Sequence, residues 1–232
     1  MNAASIVRMS LLWEAPLPGP DWLETAAELA ARLDAALEAW YLEDPNLRRL
    51  AAWPAIQEVC STSGRTESLS PERLARELRI ARERAERLLS TVAGRRHRPW
   101  RFHALAATLQ GAVETGAGDV LWVVDRLRGW EWLLGDRGLP PRLLLAASPV
   151  CPPVYLLGEA EGPAAALADA LAEAFGVRAR RLEGAGDPLL LRRVLADLVP
   201  GLVVATAGGP WWHDGEVLKL LRRRPFSLLR VA

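Results

Sequence analysis

Cysteine and histidine are scarce in this chain of 232 residues, which contains two cysteines, Cys60 and Cys151, and three histidines. Neither cysteine belongs to a Cys-x-x-Cys pair or to a Cys/His cluster with metal-ligand spacing. The histidines at positions 97, 103 and 213 show no HxxxH or HExxH spacing. The pattern argues against a metal site, and we interpret both cysteines as ordinary buried or half-buried thiols, which suits a reducing cytosol.

Long apolar runs and an excess of one charge are also missing. No stretch approaches the roughly 18 consecutive apolar residues of a membrane span. The first twelve residues lack the apolar region and the small-residue cleavage pattern of a secretory signal. Basic and acidic residues balance at 29 against 28, so the protein has no overall field to attract a polyanion. We therefore expect a cytoplasmic protein with neither a membrane nor a nucleic acid as its partner.

Two basic runs need a separate explanation. One spans residues 95–98 and is followed by Trp100 and Arg101, and the other spans Arg222–Arg224. Such runs can contact phosphate groups. Both lie at the ends of predicted helices, however, where arginines interact favourably with the negative end of the helix dipole. We prefer this structural interpretation.

Common catalytic motifs are absent from the sequence. The chain has no GxSxG elbow, no Walker A sequence and no complete GxGxxG. No spacing of serine, histidine and aspartate points to a catalytic triad. The sequence therefore predicts that the protein is not an enzyme.

What the chain does have is an alternation of strand-like and helix-like segments, in a composition that is 50% hydrophobic. In the first part, Asp21 is expected to cap a helix, and Ser70 with Pro71 to start the longest one. The predicted strands are 6–13, 39–42, 100–106, 120–124 and 143–146. The predicted helices follow Asp21, span 46–60 with an end or kink at Pro54, run from Ser70 to Gly94, and span 108–115.

A second series of elements begins after Pro152-Pro153. Strands are predicted at 154–157, 177–182, 202–205 and 226–231, and helices at 164–175, 189–198 and 216–224. Compared with the first series, this one lacks a helix and a strand between Leu182 and Asp187. It is therefore expected to depend on the first part of the chain for stability.

The end of each series follows the same order of strand, glycine-containing loop and strand, at residues 119–147 and 201–232. We interpret this as a tandem α/β protein of two Rossmann-like units with mostly parallel sheets, 1–148 and a truncated 149–232. The closing strands, Leu143–Ala146 and Phe226–Val231, are expected to meet, because edge strands tend to be paired or protected. The halves would then form an intramolecular pseudo-dimer, which makes a homodimer less necessary without excluding it.

Three segments carry a resemblance to a known family. They are the first helix Asp21–Ala30 (DWLETAAELA), the second strand Trp40–Asp44 (WYLED) and the ending Leu220–Val231 (LLRRRPFSLLRV). Together with the order of elements, they resemble a tandem universal stress protein over nearly the whole chain. The resemblance implies an adenine-nucleotide-binding α/β fold that pairs through its last strand. It also implies a role in stress survival by binding or signalling rather than by turnover.

Family members that hold ATP have an acidic residue after the first strand and Gly-x2-Gly-x9-Gly-(Ser/Thr) after the fourth. By this resemblance, Glu14 and Glu159 take the acidic position in the two halves. After the fourth strand, the first half has Asp125 and Gly129, and the second has the pair Gly208 and Gly209. Glycines let backbone N–H groups approach phosphates at a helix start.

Both loops depart from that motif. In the first half Gly135 is followed by Asp136, and in the second the glycine pair is followed by Trp211 and Trp212. Acidic groups would repel a triphosphate and indoles would fill its space. We therefore expect no cofactor and a regulatory binding protein with degenerate nucleotide loops.

Two alternatives stay open. The first is an ATP or AMP site of non-standard geometry that uses Glu14 or Glu159 with the Gly208-Gly209 loop. The second is a protein-binding surface, or a stacking platform, built on Trp211, Trp212 and His213.

Overall fold

The computed structural model describes most of the chain. It covers residues 8–14, 20–53, 56–59, 62–96, 99–108, 111–113, 119–124, 142–146, 150, 152–184, 186–207, 209–224 and 226–231. Both cysteines, and the expected site residues Asp125, Gly129 and Gly208, lie outside these ranges.

Eleven strands and six α-helices are described, together with a short 3-10 helix at Pro210–His213 and helical residues at 111–113. The strands are β1 Arg8–Glu14, β2 Ala36–Leu42, β3 Gln57–Val59, β4 Thr66–Ser68, β5 Trp100–Leu105, β6 Val120–Val124, β7 Arg142–Ala146, β8 Val154–Leu157, β9 Arg180–Arg181, β10 Leu202–Thr206 and β11 Ser227–Val231. The helices are α1 Pro20–Arg32, α2 Pro45–Ala51, α3 Pro71–Arg95, α4 Pro163–Ala174, α5 Pro188–Asp197 and α6 Gly215–Arg223.

Nine of the strands form one sheet in the order β5-β2-β1-β6-β7-β11-β10-β8-β9. Every neighbouring pair is parallel except β7 with β11. The α/β fold class expected from the sequence is confirmed. The first half contributes β1, β2, β5, β6 and β7 to this sheet. If these five strands are counted 1 to 5 along the chain, their order across the sheet is 3-2-1-4-5. The second half contributes β8, β9, β10 and β11. If these are counted 1, 2, 4 and 5, their order from the outer edge inwards is 2-1-4-5. The vacant third position is where a strand was expected to be missing.

The two closing strands pair directly, with Leu144 opposite Leu229 and Leu145 opposite Leu228. This contact was predicted. Because the pairing is antiparallel and direct, the two halves form one continuous sheet and not two separate sheets. The hydrophobic cores on the two faces also cross this junction. Trp122 and Leu144 share one core with Val204 and Leu229.

Helices cover both faces of the sheet, as parallel strands require. Face one carries Leu11, Trp13 and Tyr41 and packs against α1, α3 and α4. Face two carries Leu12, Leu42 and Val203 and packs against α5, α6 and the 3-10 helix. Successive side chains of a strand point to opposite faces, so odd-numbered residues of β1 and β2 lie on face one and even-numbered residues on face two.

The helix starts follow local capping chemistry. The Ser70 hydroxyl accepts a hydrogen bond from the backbone N–H of Arg73 at 3.1 Å, and Pro71 occupies the first turn of α3, as predicted. The expectation for Asp21 is wrong, because α1 begins at Pro20 and Asp21 lies in its first turn. A proline favours that early position because its missing N–H would have no helical partner there.

The segment 46–60 was expected to be helical, with an end or a kink at Pro54, and the helix is confirmed only over Pro45–Ala51. The helix α2 ends at Ala51, and β3 pairs with β4 in a separate antiparallel hairpin. Proline at position 54 cannot donate the hydrogen bond that a continuing helix needs. The segment 177–182 was expected to be a strand, and it is reduced to the two residues of β9, both exposed at the edge of the sheet.

Candidate functional site

The order of the strands reverses at two places in the sheet, between β1 and β6 and between β8 and β10. Open α/β sheets bind ligands outside the carboxyl ends of the strands at such points. These two positions are therefore the first places to look for a site. Glu14 ends β1, and the predicted Gly209 follows β10; because β7 and β11 are antiparallel, these two strand ends lie at opposite edges of the sheet.

In the first half, Glu14 lies in register with Leu42, on the strand between β2 and β6. The backbone of β1 thus brings it to the predicted edge. The direction of its side chain is not described, and Asp125 and Gly129 lie outside the described residues. The first-half site therefore stays a prediction.

In the second half, the ends of β8 and β10 approach each other closely. Gly158 has a φ of +150°, and a Cβ atom built on it would lie 2.8 Å from the Thr206 hydroxyl oxygen. Glycine is needed here both for the dihedral angle and for the space. Glu159 follows it and is exposed to solvent. The gap expected for a nucleotide is narrow at this point.

The two indoles after β10 are fully buried. Trp211 is 1% exposed and Trp212 is 0% exposed, with their rings 5.3 Å apart and nearly perpendicular. The guanidinium of Arg230, from β11, lies 5.4 Å from the centroid of the Trp212 ring. A stacking platform needs an exposed ring face, so the hypothesis that these indoles form one is wrong. His213 is exposed, whereas both tryptophans belong to the core.

Gly209 adapts the loop to the first of these indoles. Its φ is −68°, which any residue can adopt, but a Cβ atom would lie 2.5 Å from the indole nitrogen of Trp211. The glycine is required because Trp211 packs against it. Its packing against Trp211 explains the presence of a glycine without a bound anion.

The N-terminus of α6 is occupied by the protein's own carboxylate. Asp214 is the N-cap of this helix and accepts hydrogen bonds from the backbone N–H groups of Glu216, at 2.9 Å, and Val217, at 3.0 Å. It also accepts from Arg192 through both oxygens, at 2.8 and 2.6 Å. Burial alone would raise the pKa of Asp214, but the hydrogen bonds from Arg192 and Val217 outweigh it and lower the pKa. The place that a phosphate would take at this helix is filled.

A second group of polar residues lies at the amino ends of β1, β2 and β5, at the opposite edge of the sheet from Glu14, and was not predicted as a site. Ser10, Glu38 and Arg101 stand side by side on β1, β2 and β5, with Ser10 opposite Glu38 and Glu38 opposite Arg101. By strand alternation all three belong to face two. Ser10 is 0% exposed and Glu38 is 5% exposed.

Glu38 and Arg101 line a cavity of about 460 Å³ at the amino ends of β1, β2 and β5. Arg8, Glu38, Arg101 and Asp119 contribute its charged lining. The Arg8 guanidinium lies 3.5 Å from the Glu38 carboxylate. The backbone N–H of Arg8 donates to the Asp119 carboxylate at 2.8 Å, and the N–H of Asp119 donates to the Arg8 carbonyl at 3.0 Å. These paired bonds fix the start of β1 as one wall.

One signal for this group was present in the sequence. Polar residues interrupt the apolar strands at alternate positions, namely Arg8 and Ser10 in β1, Glu38 in β2, and Arg101 and His103 in β5. A period of two places each set on one face of its strand. The sequence does not reveal that the three strands are adjacent, so the residues could not be recognised as one group.

Within the ranges that the structure describes, no group of three or more histidine, cysteine, aspartate or glutamate side chains is arranged to hold a metal ion. Among those residues, no helix has the length and apolar character needed to cross a lipid bilayer. No protein-family model matches the chain, and no curated protein shows significant similarity to it.

Proposed function

We propose that this protein is a non-catalytic regulatory binding protein of the universal stress type, acting in the cytoplasm, whose second-half nucleotide site has been filled by its own side chains. The observation that carries the proposal is the burial of Trp211 and Trp212 directly after β10. An adenine nucleotide of that family would need this space for its phosphates.

The topology supports the family part of the proposal. The two strand orders, 3-2-1-4-5 and 2-1-4-5, follow one plan, and the last strands of the two halves pair with each other. This agrees with a family whose members pair through the last strand. In the proposed protein, both members of such a pair belong to one chain.

The second-half site supports the loss of nucleotide binding in three independent ways. The strand ends meet where Gly158 touches Thr206, the glycine loop is packed against Trp211, and Asp214 takes the helix N-terminus. A triphosphate would have to displace a carboxylate and two buried indoles. We infer that ATP does not bind in this half.

A second candidate function is nucleotide binding in the first half alone. It is favoured by one observation, the position of Glu14 at the carboxyl end of β1, beside the reversal of strand order between β1 and β6. A carboxylate there can accept a hydrogen bond from a ribose hydroxyl or an adenine amine.

Calorimetric titration of the full chain with ATP and AMP distinguishes these functions. The regulatory proposal predicts no binding at micromolar nucleotide and no ATP hydrolysis. Micromolar binding would contradict it, and matched variants Glu14→Gln and Glu159→Gln would then locate the site. Loss of binding in Glu14→Gln, with Glu159→Gln unchanged, would establish the first-half site.

The cellular role has its own test. Deletion of the gene should lower survival under stress, and the wild-type chain should restore it. Normal survival of the deletion strain under every stress tested would count against the stress-response part of the proposal.

A further inference from the structure

Glu38 is a buried carboxylate with few donors around it. Its side chain is 7% exposed and lines the cavity at the amino ends of β1, β2 and β5. The ion pair with Arg8 spans 3.5 Å, which is longer than a charge-assisted hydrogen bond. Within the described part of the chain, no group donates a hydrogen bond to this carboxylate. Burying a charge is costly unless donors surround it, so the cavity offers a place for a ligand that brings them.

Arg101 provides the opposite charge on the same face. It lies directly across from Glu38 in the register of β2 and β5, and its side chain is exposed at the edge strand. It forms no ion pair with any of the described residues. A guanidinium in this state is available to bind a carboxylate through two parallel N–H donors.

The charges around the cavity cancel. Arg8 and Arg101 contribute two positive charges, and Glu38 and Asp119 contribute two negative ones. A ligand without net charge leaves this balance intact, whereas a simple cation or anion does not. The cavity volume of about 460 Å³ lies within the range of small-molecule sites, roughly 300 to 1,000 Å³.

From this arrangement we propose that the cavity binds a small zwitterion of the amino-acid type, with its ammonium group on Glu38 and its carboxylate on Arg101. Arg8 flanks the ammonium site and orients the Glu38 carboxylate. The site lies at the amino ends of β1, β2 and β5, on the opposite edge from Glu14, and the strands β6, β7 and β11 separate it from β10, so it is distinct from both predicted nucleotide sites.

The first experiment identifies the ligand and tests both halves of the recognition. The full chain is titrated by calorimetry with the twenty standard amino acids at up to millimolar concentration. The best ligand is then compared with its N-acetyl derivative, which lacks the ammonium charge, and with its amide, which lacks the carboxylate. Each derivative should bind at least about tenfold more weakly, the loss expected for one charge-assisted hydrogen bond.

The second experiment locates the site with matched variants. Arg101→Gln should weaken binding of the amino acid about tenfold and leave the weak binding of its amide unchanged. Glu38→Gln should remove the discrimination against the N-acetyl derivative. Arg76→Gln on α3, which also removes an exposed arginine, is the control and should bind as the wild type does.

Three results would overturn the proposal. They are the absence of binding for all twenty amino acids, equal binding of the ligand and both derivatives, and unchanged affinity in a folded Arg101→Gln variant. Arg101 is exposed on an edge strand, so this variant should keep the wild-type circular dichroism spectrum and remain informative even if Glu38→Gln fails to fold.

Discussion

A single nitrogen of the Arg192 guanidinium donates hydrogen bonds to both carboxylate oxygens of Asp214, at 2.8 and 2.6 Å. The contact links α5 to the residue that caps α6 and is largely shielded, since the two side chains are 36% and 16% exposed. It holds the helix start directly behind the buried tryptophans. The geometry of that loop therefore depends on an ion pair between two helices.

Replacing Asp214 with alanine should destabilise the protein by about 1–2 kcal/mol, because the cap and the partner of Arg192 are lost together. Asp214→Asn should cost less, since asparagine can still cap the helix. Urea unfolding followed by circular dichroism measures both. Glu216→Gln, at an exposed position of the same helix, is the control. Equal stability of wild type and Asp214→Ala would show that the contact contributes nothing.

The contribution of the Asp214 charge should depend on pH. Its pKa is lowered in the folded protein, so the ionised form is favoured by folding. The stabilisation is therefore present above the ordinary aspartate pKa of about 3.9 and is lost as the pH falls through the lower folded value. The stability difference between wild type and Asp214→Asn should be constant near neutral pH and shrink below about pH 4. A difference that grows on acidification would contradict this sign.

Two glycines at the end of the second half should respond differently to alanine. Gly209→Ala places a Cβ atom 2.5 Å from the Trp211 indole nitrogen, so the ring must move, at a cost of about 1–3 kcal/mol. At Gly215 no atom lies within 4 Å of the added Cβ, and Gly215→Ala should be neutral or slightly stabilising. Thermal unfolding with tryptophan fluorescence reports both stability and displacement of the ring. Equal effects of the two substitutions would show that Trp211 does not determine the need for glycine.

The two tyrosines allow a comparison of how much a buried hydroxyl contributes to stability with and without a hydrogen-bond partner. Tyr155 donates to the carbonyl of Val199 at 3.0 Å, so Tyr155→Phe should cost about 1 kcal/mol. The Tyr41 hydroxyl is buried without a hydrogen-bond partner among the described residues, so Tyr41→Phe should be neutral or stabilising. Denaturant unfolding of both variants provides the comparison. Destabilisation by Tyr41→Phe as large as that of Tyr155→Phe would contradict it.

The two halves should unfold in one cooperative transition. The cores on both faces continue through the paired strands β7 and β11, so neither half has a closed core of its own. Hydrogen exchange followed by mass spectrometry should give the same unfolding free energy for β1 and for β10. Leu144→Ala at the junction should lower both values together, by about 2–5 kcal/mol. Separate values, with one half unaffected, would indicate independent domains.

Much of the fold could be predicted because its signals are local. Apolar runs such as Val120–Val124 and Val154–Leu157 are strands with the expected bounds. Ser70 with Pro71, and Asp214, supply their own capping chemistry within a few residues. The pairing of the closing strands followed from the need to protect a strand edge.

The sequence-based predictions failed where local signals are weak or where the structure depends on residues far apart in the chain. The hairpin of β3 and β4 contains few apolar residues, so periodicity could not distinguish it from a helix followed by a linker. The departure of the second-half loop from the phosphate-binding pattern is visible in the sequence, but the burial of Trp211 depends on packing between separate elements. Glu38 and Arg101 lie 63 positions apart, and only the pairing of β2 with β5 makes them neighbours.

Each edge of a β-strand can form backbone hydrogen bonds with only one neighbouring strand. The backbone of β7 that faces away from β6 is already bonded to β11, so a second copy of the chain finds no open ladder at the centre of the sheet. A contact that in separate chains would depend on concentration is here guaranteed by the covalent connection. The two halves are therefore always present in equal number, which leaves each free to acquire different residues without losing the other.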